Sequence, residues 1–244
     1  MADIWADVFK GAPDRLTRIV SVQTGWLWLE SQILDAPLVV AEGLPPPGES
    51  FDAYAVTGYF SGGLGGEKKF VAIKEWLRQS RQAALDQAAL EGLKGGEAEA
   101  YARQHRYDLA DKLAAQEIRD GSVTGDAENS VMQVLTEVLP YHASIAADRG
   151  LRLMMYEGGS HVVGIGGQTE DEELTAFFTH LNFTPEMGAL YAQMVAGWQL
   201  QSDAPFNAFV DFYRPGKWGS WGALRHLTDD NPRWDALVQG CITC

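Results

Sequence analysis

The residue of this sequence best placed for chemistry is a carboxylate set at the end of an apolar run. Glu157 follows LRLMMY directly and precedes Gly158-Gly159 in LRLMMYEGGSH, residues 151–161. A carboxylate in that position loses solvation and requires hydrogen-bond partners or a raised pKa. The paired glycines allow backbone or a ligand to approach closely. Two uses fit: a reactive or ligand-binding acid, and a structural carboxylate that caps a helix or holds a loop. Tyr59, in TGYF, is a phenol able to donate to Glu157, or an ordinary core tyrosine. His161, four residues beyond Glu157, is a donor for a ligand hydroxyl or a structural histidine; it has no clustered partners for a metal. Trp218 and Trp221, in the glycine-rich YRPGKWGSW, present flat apolar faces with N–H donors at the edge, which suits the C–H faces and hydroxyl rim of a sugar. Gln23, in SVQTGW, and Asp211, in FVDFY, complete the polar groups expected to contact such a ligand. Two other motifs carry no chemistry. GIGG at 164–167 matches neither glycine-rich phosphate fingerprint and lacks the accompanying lysine, and Ser160-His161 is not a nucleophile elbow, because GxSxG is absent.

These groups need a frame that brings them together. Residues 16–23, 51–60, 151–156 and 206–212 read as strands. The second, FDAYAVTGYF, is almost continuously apolar or small, as in a strand buried on both faces. Gln23 ends the first, Tyr59 the second, Glu157 the third, and Asp211 with the two tryptophans the fourth. Between them the sequence predicts helices at 5–9 and 26–34, and two or more over 70–119, broken near Gly95-Gly96. Another is expected at 127–149, with Pro140 a kink or boundary. The spacing of Thr169 and Glu172 is that of a capping box, predicting a helix from there to His180. Thr184-Pro185 predicts a helix to about residue 201, and Asn231-Pro232 opens a last short one. Alternation of this kind predicts an α/β fold with a parallel sheet and helical crossovers. A complete (β/α)8 barrel takes about 250 residues, roughly 30 per unit. Four strands in 244 residues, with 70–149 a long helical insertion, predict a partial barrel forming one domain over 1–244. In such a barrel the strand C-terminal ends carry the active site.

In order and spacing, the strand ends resemble the C-terminal half of the retaining (β/α)8 glycoside hydrolases whose two catalytic glutamates follow strands four and seven. The resemblance covers nearly the whole chain. SVQTGW at 21–26 falls at strand five, GYF at 58–60 at strand six, YEGGSH at 156–161 at strand seven and KWGSW at 217–221 at strand eight. More narrowly, the chain is similar to a group of bacterial proteins described as cellulase-like or cellulose-binding. The resemblance implies Glu157 as nucleophile, Tyr59 hydrogen-bonded to it, a tryptophan lining the sugar site, and no cofactor or metal. One departure is plain. The family's acid/base glutamate sits in an Asn-Glu pair after strand four, and no Asn-Glu dipeptide occurs here. Glu42 and Asp211 are the available stand-ins, and neither occupies the matching position. The expectation is therefore a chain carrying about strands 5–8, a fragment or truncated reading frame, weak or inactive alone. A noncatalytic carbohydrate-binding protein, and a scaffold acting through 70–149, are the competing readings.

Composition narrows the partners. The net charge of −14 and a pI near 4.7 argue against nucleic acid, which calls for a basic face, and against anionic membranes. A neutral carbohydrate is not repelled by this charge. No apolar run reaches the roughly 20 residues that span a bilayer. The start, MADIWADVFK, lacks the basic and apolar blocks of a signal peptide, but the resemblance places Met1 inside a longer protein, so localisation is left open. Cys241 and Cys244 form a terminal CxxC with no second pair to complete a zinc site, and are expected to be incidental. A half-barrel has open sheet edges, so self-association or a partner supplying the missing half is expected.

Overall fold

The computed structural model describes residues 2–242, and side chains as far as Gly240, so the Cys241/Cys244 pair lies outside the described side chains. Three strands form the sheet: β1 (Ile19–Ser21), β2 (Ala53–Phe60) and β3 (Arg152–Ser160). They lie in chain order and both pairings are parallel. Parallel neighbours require crossover connections. The first crossover holds α2 (Leu29–Leu34) and α3 (Pro37–Ala41). The second holds α4 (Glu67–Leu90), α5 (Gly96–Gln104), α6 (Asp108–Asp120) and α7 (Val131–Gln133), which continues through a π turn, Val134–Val138, into α8 (Leu139–Asp148). Helix α1 (Ala2–Val8) precedes the sheet, and α9 (Glu172–Leu181), α10 (Pro185–Gln199) and α11 (Pro232–Ile242) follow it. The chain is a mixed α/β protein built on a small parallel sheet.

Strand residues alternate between faces, and the two are covered unequally: Ala53 and Ala55 are buried on the second face, whose other positions are more open. Tyr54, Val56, Phe60, Leu153 and Met155 enter the core with Ile73, Leu139, Leu190 and Met194 from the helices. Ser21, Thr57, Tyr59, Met154 and Tyr156, on the alternate positions, stay partly or fully open. The helices of 70–149 belong to this same core, since Ala110, Ala114, Ile118 and Val131 are buried in it. Helix α4 buries Ile73, Trp76, Leu77, Ser80, Ala84 and Ala88, the three- and four-residue spacing of an amphipathic helix. Ser80 Oγ also accepts from the backbone N–H of Leu109 and Ala110, satisfying donors that the first turn of α6 leaves free.

Several expectations are corrected. The first strand is three residues long instead of 16–23, and α2 begins at Leu29 instead of Trp26. Residues 206–212 do not form a strand: isolated parallel bridges join Ala208 to Gly158 and Phe212 to Leu224. Val210 exchanges hydrogen bonds with Trp221 and Ala223, so this segment pairs with a loop and lacks a further strand to align it. Thr169 is not a helix cap. It lies in a 3-10 turn with its hydroxyl on the Gly164 carbonyl, and Asp171 caps α9 by accepting from Leu174 N; Asp is as good a cap as Thr. Pro140 does mark a boundary, as expected: it lies in the first turn of α8, directly after the π turn. The ring removes an N–H and crowds the carbonyl four residues back, and the wider π turn lies just before it. Thr184 caps α10 with Pro185 in the first turn, as its sequence predicts.

Candidate site at the strand ends

The position of Glu157 depends on a register shift. Val56 pairs with Met155 but Thr57 pairs with Glu157, leaving Tyr156 as an extra residue in β3. Such a bulge re-aims the side chains beyond it. Met155 is buried beneath the helices, so strict alternation would bury Glu157 on the same face. The bulge puts it opposite Thr57, on the open face, and Glu157 is half-buried there. Thr57 N–H, at the shift, donates to Thr24 Oγ1 at 2.7 Å. The two glycines that follow admit protein groups, not a ligand. A Cβ on Gly158 would lie 2.9 Å from Met155 Sδ, and one on Gly159, whose φ is +140°, would lie 2.8 Å from Tyr191 Oη.

Three rings meet at the end of β2, where Tyr59 lies two residues beyond Thr57, the partner of Glu157. Tyr59 contacts His161 at 6.1 Å and Trp221 at 6.0 Å, and His161 contacts Trp221 at 5.2 Å, all edge to face. Phe209 adds a fourth ring, 6.1 Å from Trp221. Burial, and then the negative field of Glu157, push the Tyr59 phenol above its ordinary value, so it keeps its proton and remains a donor. Among the described residues no hydrogen bond joins Tyr59 to Glu157, and none occupies the Glu157 carboxylate. Tyr156 responds in the same way, to burial first and Glu157 second. Burial pulls His161 below the usual histidine value, favouring the neutral ring. Its Nδ1 is enclosed without a partner, near Gly62, where a Cβ would lie 3.8 Å away.

The remaining candidates lie outside this contact set. Gln23 and Asp211 are exposed. The Trp218 ring is 66% exposed, with the Lys217 ammonium over its face at 4.9 Å. Trp218 serves the cluster through its backbone, because its carbonyl accepts from Trp221 Nε1 at 2.8 Å. Sequence reasoning missed Tyr156 and Phe209, although Tyr156 is the immediate neighbour of Glu157.

It also missed the side chain that holds the site's outer wall. Arg233 is fully buried. It donates to the carbonyls of Ser220, at 2.8 Å, and Gly222, and to Asn182 Oδ1 at 3.3 Å. Its guanidinium lies 4.6 Å from the centre of the Phe183 ring. Asn182 Oδ1 also accepts from Ser160 Oγ at 2.6 Å, and Ser160 N–H donates to Tyr191 Oη at 2.9 Å. The end of β3 and the loop bearing Trp221 are thereby tied to shared partners. On the other flank, His142 bridges Tyr54 Oη at 2.8 Å and the Thr24 carbonyl at 2.9 Å. The carbonyl must accept from Nε2–H, which leaves Nδ1 to accept from the phenol.

No family model, curated protein or solved structure matches this chain. Among the described residues no group of three or more His, Cys, Asp or Glu is arranged to hold a metal ion, and no helix is long and apolar enough to cross a membrane. The assembled groups are one carboxylate without a partner, protonated phenols, a neutral imidazole and an indole face. They are suited to a neutral, hydroxylated ligand with an apolar face. Glu157 offers an acceptor or a nucleophile, and among the described residues no second carboxylate is in hydrogen-bonding contact with it.

Proposed function

We propose that the open ends of the strands bind a carbohydrate, and that the chain is a glycoside hydrolase-like half-barrel corresponding to about strands 5–8. The observation that carries this reading is the bulge at Tyr156, which turns a carboxylate out of the core and onto an aromatic rim. Sequential parallel strands, with a bridge at Ala208 in the position of a fourth, support the half-barrel. In this reading Glu157 is the nucleophile of a retaining reaction on a polysaccharide or oligosaccharide. Tyr59 holds a proton at the edge of the site, and Trp221 packs against the sugar face.

Retaining hydrolysis uses two carboxyl groups about 5–5.5 Å apart. Among the described residues no carboxylate hydrogen-bonds to Glu157, and losing a general acid removes about 10²–10⁴-fold in rate. The chain alone should bind and, at most, form the first covalent bond. A dinitrophenyl glycoside separates the possibilities, because its leaving group departs without protonation. The expected result is a burst of at most one product equivalent per chain, with a glycosyl mass added to the peptide holding Glu157, abolished in Glu157→Gln. Sustained turnover that persists in Glu157→Gln would overturn the nucleophile assignment. The second reading, noncatalytic carbohydrate binding, is favoured by the missing acid. It predicts oligosaccharide binding with no burst and no adduct.

A further inference from the structure

Helices α4, α5 and α9 enclose a cleft of about 570 Å³, built from residues that do not contribute to the strand-end cluster. Its size suits a small organic ligand, for which sites of about 300–1,000 Å³ are usual. Arg81 on α4, Arg103 on α5 and Arg106 in the turn before α6 all line it. This concentrates cations in a chain whose net charge is −14. The two acidic residues at the cleft are already engaged. Glu173 pairs with Lys74, and Glu99 lies 3.8 Å from Arg103. Among the described residues Arg81 and Arg106 make no ion pair and no hydrogen bond. Arg106 contacts only a ring face, lying 4.5 Å from the centre of Tyr107. Leu77 and Leu85, about two turns apart on α4 with Arg81 one turn from each, give the cleft an apolar wall. An adjoining groove of about 400 Å³ shares Arg81 and both leucines and continues toward Arg78 and Lys74.

We propose that this cleft binds a phosphorylated small molecule. Arg81 and Arg106 hold the phosphate, and the organic body lies against Leu77, Leu85 and Tyr107. Two unmatched guanidiniums equal the charge of a phosphomonoester dianion. The planar fork of arginine matches phosphate oxygens in pairs, which a lysine ammonium does not. The apolar wall requires more than an inorganic ion to fill the volume. A monocarboxylate of the same shape would leave one positive charge unanswered.

Calorimetric titration of the whole chain with phenyl phosphate, inorganic phosphate and benzoate tests this. Phenyl phosphate is expected to bind saturably and more tightly than either of the others. Arg81→Ala and Arg106→Ala should each weaken it about tenfold, the loss expected for one charge-assisted hydrogen-bonding partner. Arg15→Ala, which makes the same charge change at an exposed residue that does not line the cleft, should leave the affinity unchanged. Benzoate binding as tightly as phenyl phosphate would overturn the phosphate assignment, and inorganic phosphate doing so would overturn the organic body. No saturable binding, or equal binding by the Arg81→Ala/Arg106→Ala double variant, would overturn the site.

Discussion

The two flanks of the sheet are built in opposite ways. On the β3 flank, α9, α10 and α11 bury Phe177, Leu181, Met187 and Trp198, and the fully buried Arg233 fastens the loop at 218–223. On the β1 flank, α1 and α3 bury nothing, and Ile4, Trp5, Val8, Ile19, Trp28 and Leu38 are exposed. An apolar cleft of about 480 Å³ lies there, lined by Trp5, Phe9, Leu16, Ile19 and Phe51. β1 is paired on one side only, and an open strand edge invites pairing with another chain. Trp221 and His161 are held by the β3 flank, whereas Gln23, at the end of β1, belongs to a surface that lacks a cover.

Tryptophan truncation should break the symmetry between the flanks most sharply. Trp198 is 0% exposed and its Nε1 donates to the Ala204 carbonyl at 2.7 Å, while Trp5 is 51% exposed. Urea unfolding should show Trp198→Ala losing about 3–5 kcal/mol and Trp5→Ala changing by no more than about 0.5 kcal/mol. Equal losses would mean that the β1 flank is as tightly packed as the other. Next in size is Arg233→Met, which strands the Ser220 and Gly222 carbonyls and should cost about 2–3 kcal/mol. Arg233→Lys should not restore it, because an ammonium cannot reproduce the fork. In both variants the Trp221 indole N–H should exchange faster with solvent. Unchanged exchange would show that Arg233 does not position that loop.

A smaller effect concerns pH. Burial lowers the pKa of both His161 and His142 from the ordinary 6.5. The fold therefore favours the neutral rings, and protonation favours the unfolded chain. Their contribution is fully present above about pH 6.5 and is lost as pH falls through that value toward the lower folded pKa. Urea midpoints measured at descending pH should fall more gently for His161→Gln than for the parent, and identical slopes would remove His161 from the account. The smallest effect on stability is expected at the open edge. Ile19→Lys should change unfolding by no more than about 0.5 kcal/mol yet weaken concentration-dependent self-association in sedimentation. Unaltered association would show that the β1 edge is not the contact.

Much of the frame was legible because its signals are local. FDAYAVTGYF and LRLMMY read as strands from continuous apolar character, and Thr184-Pro185 marks a helix start from two residues alone. What failed depends on distant partners. Residues 206–212 alternate like a strand but meet β3 at one bridge and a loop, not a strand, on the other side. Thr169 has the right spacing for a cap, yet Asp171 competes for the same helix start and wins. Arg233 reads as an ordinary surface charge until Ser220, Gly222 and Asn182 fold around it. The site itself was half legible. Glu157 stands out by its place after an apolar run, but counting alternate residues sends it into the core, and only the pairing with β2 reveals the extra residue. Trp218 and Trp221 look equivalent in the sequence, and the loop turns one outward and the other toward Tyr59.

The central claim is that a carbohydrate occupies the open face between Glu157 and Trp221. The most direct measurement is a nuclear magnetic resonance titration of the whole chain with a soluble cello-oligosaccharide, following the Trp221 indole N–H and the backbone amides of Glu157, Gly158 and His161. These signals are expected to shift together and saturably, with the saturation lost or greatly weakened in Trp221→Ala. Signals that stay fixed at high ligand concentration, or shifts confined to the arginine cleft, would contradict the account.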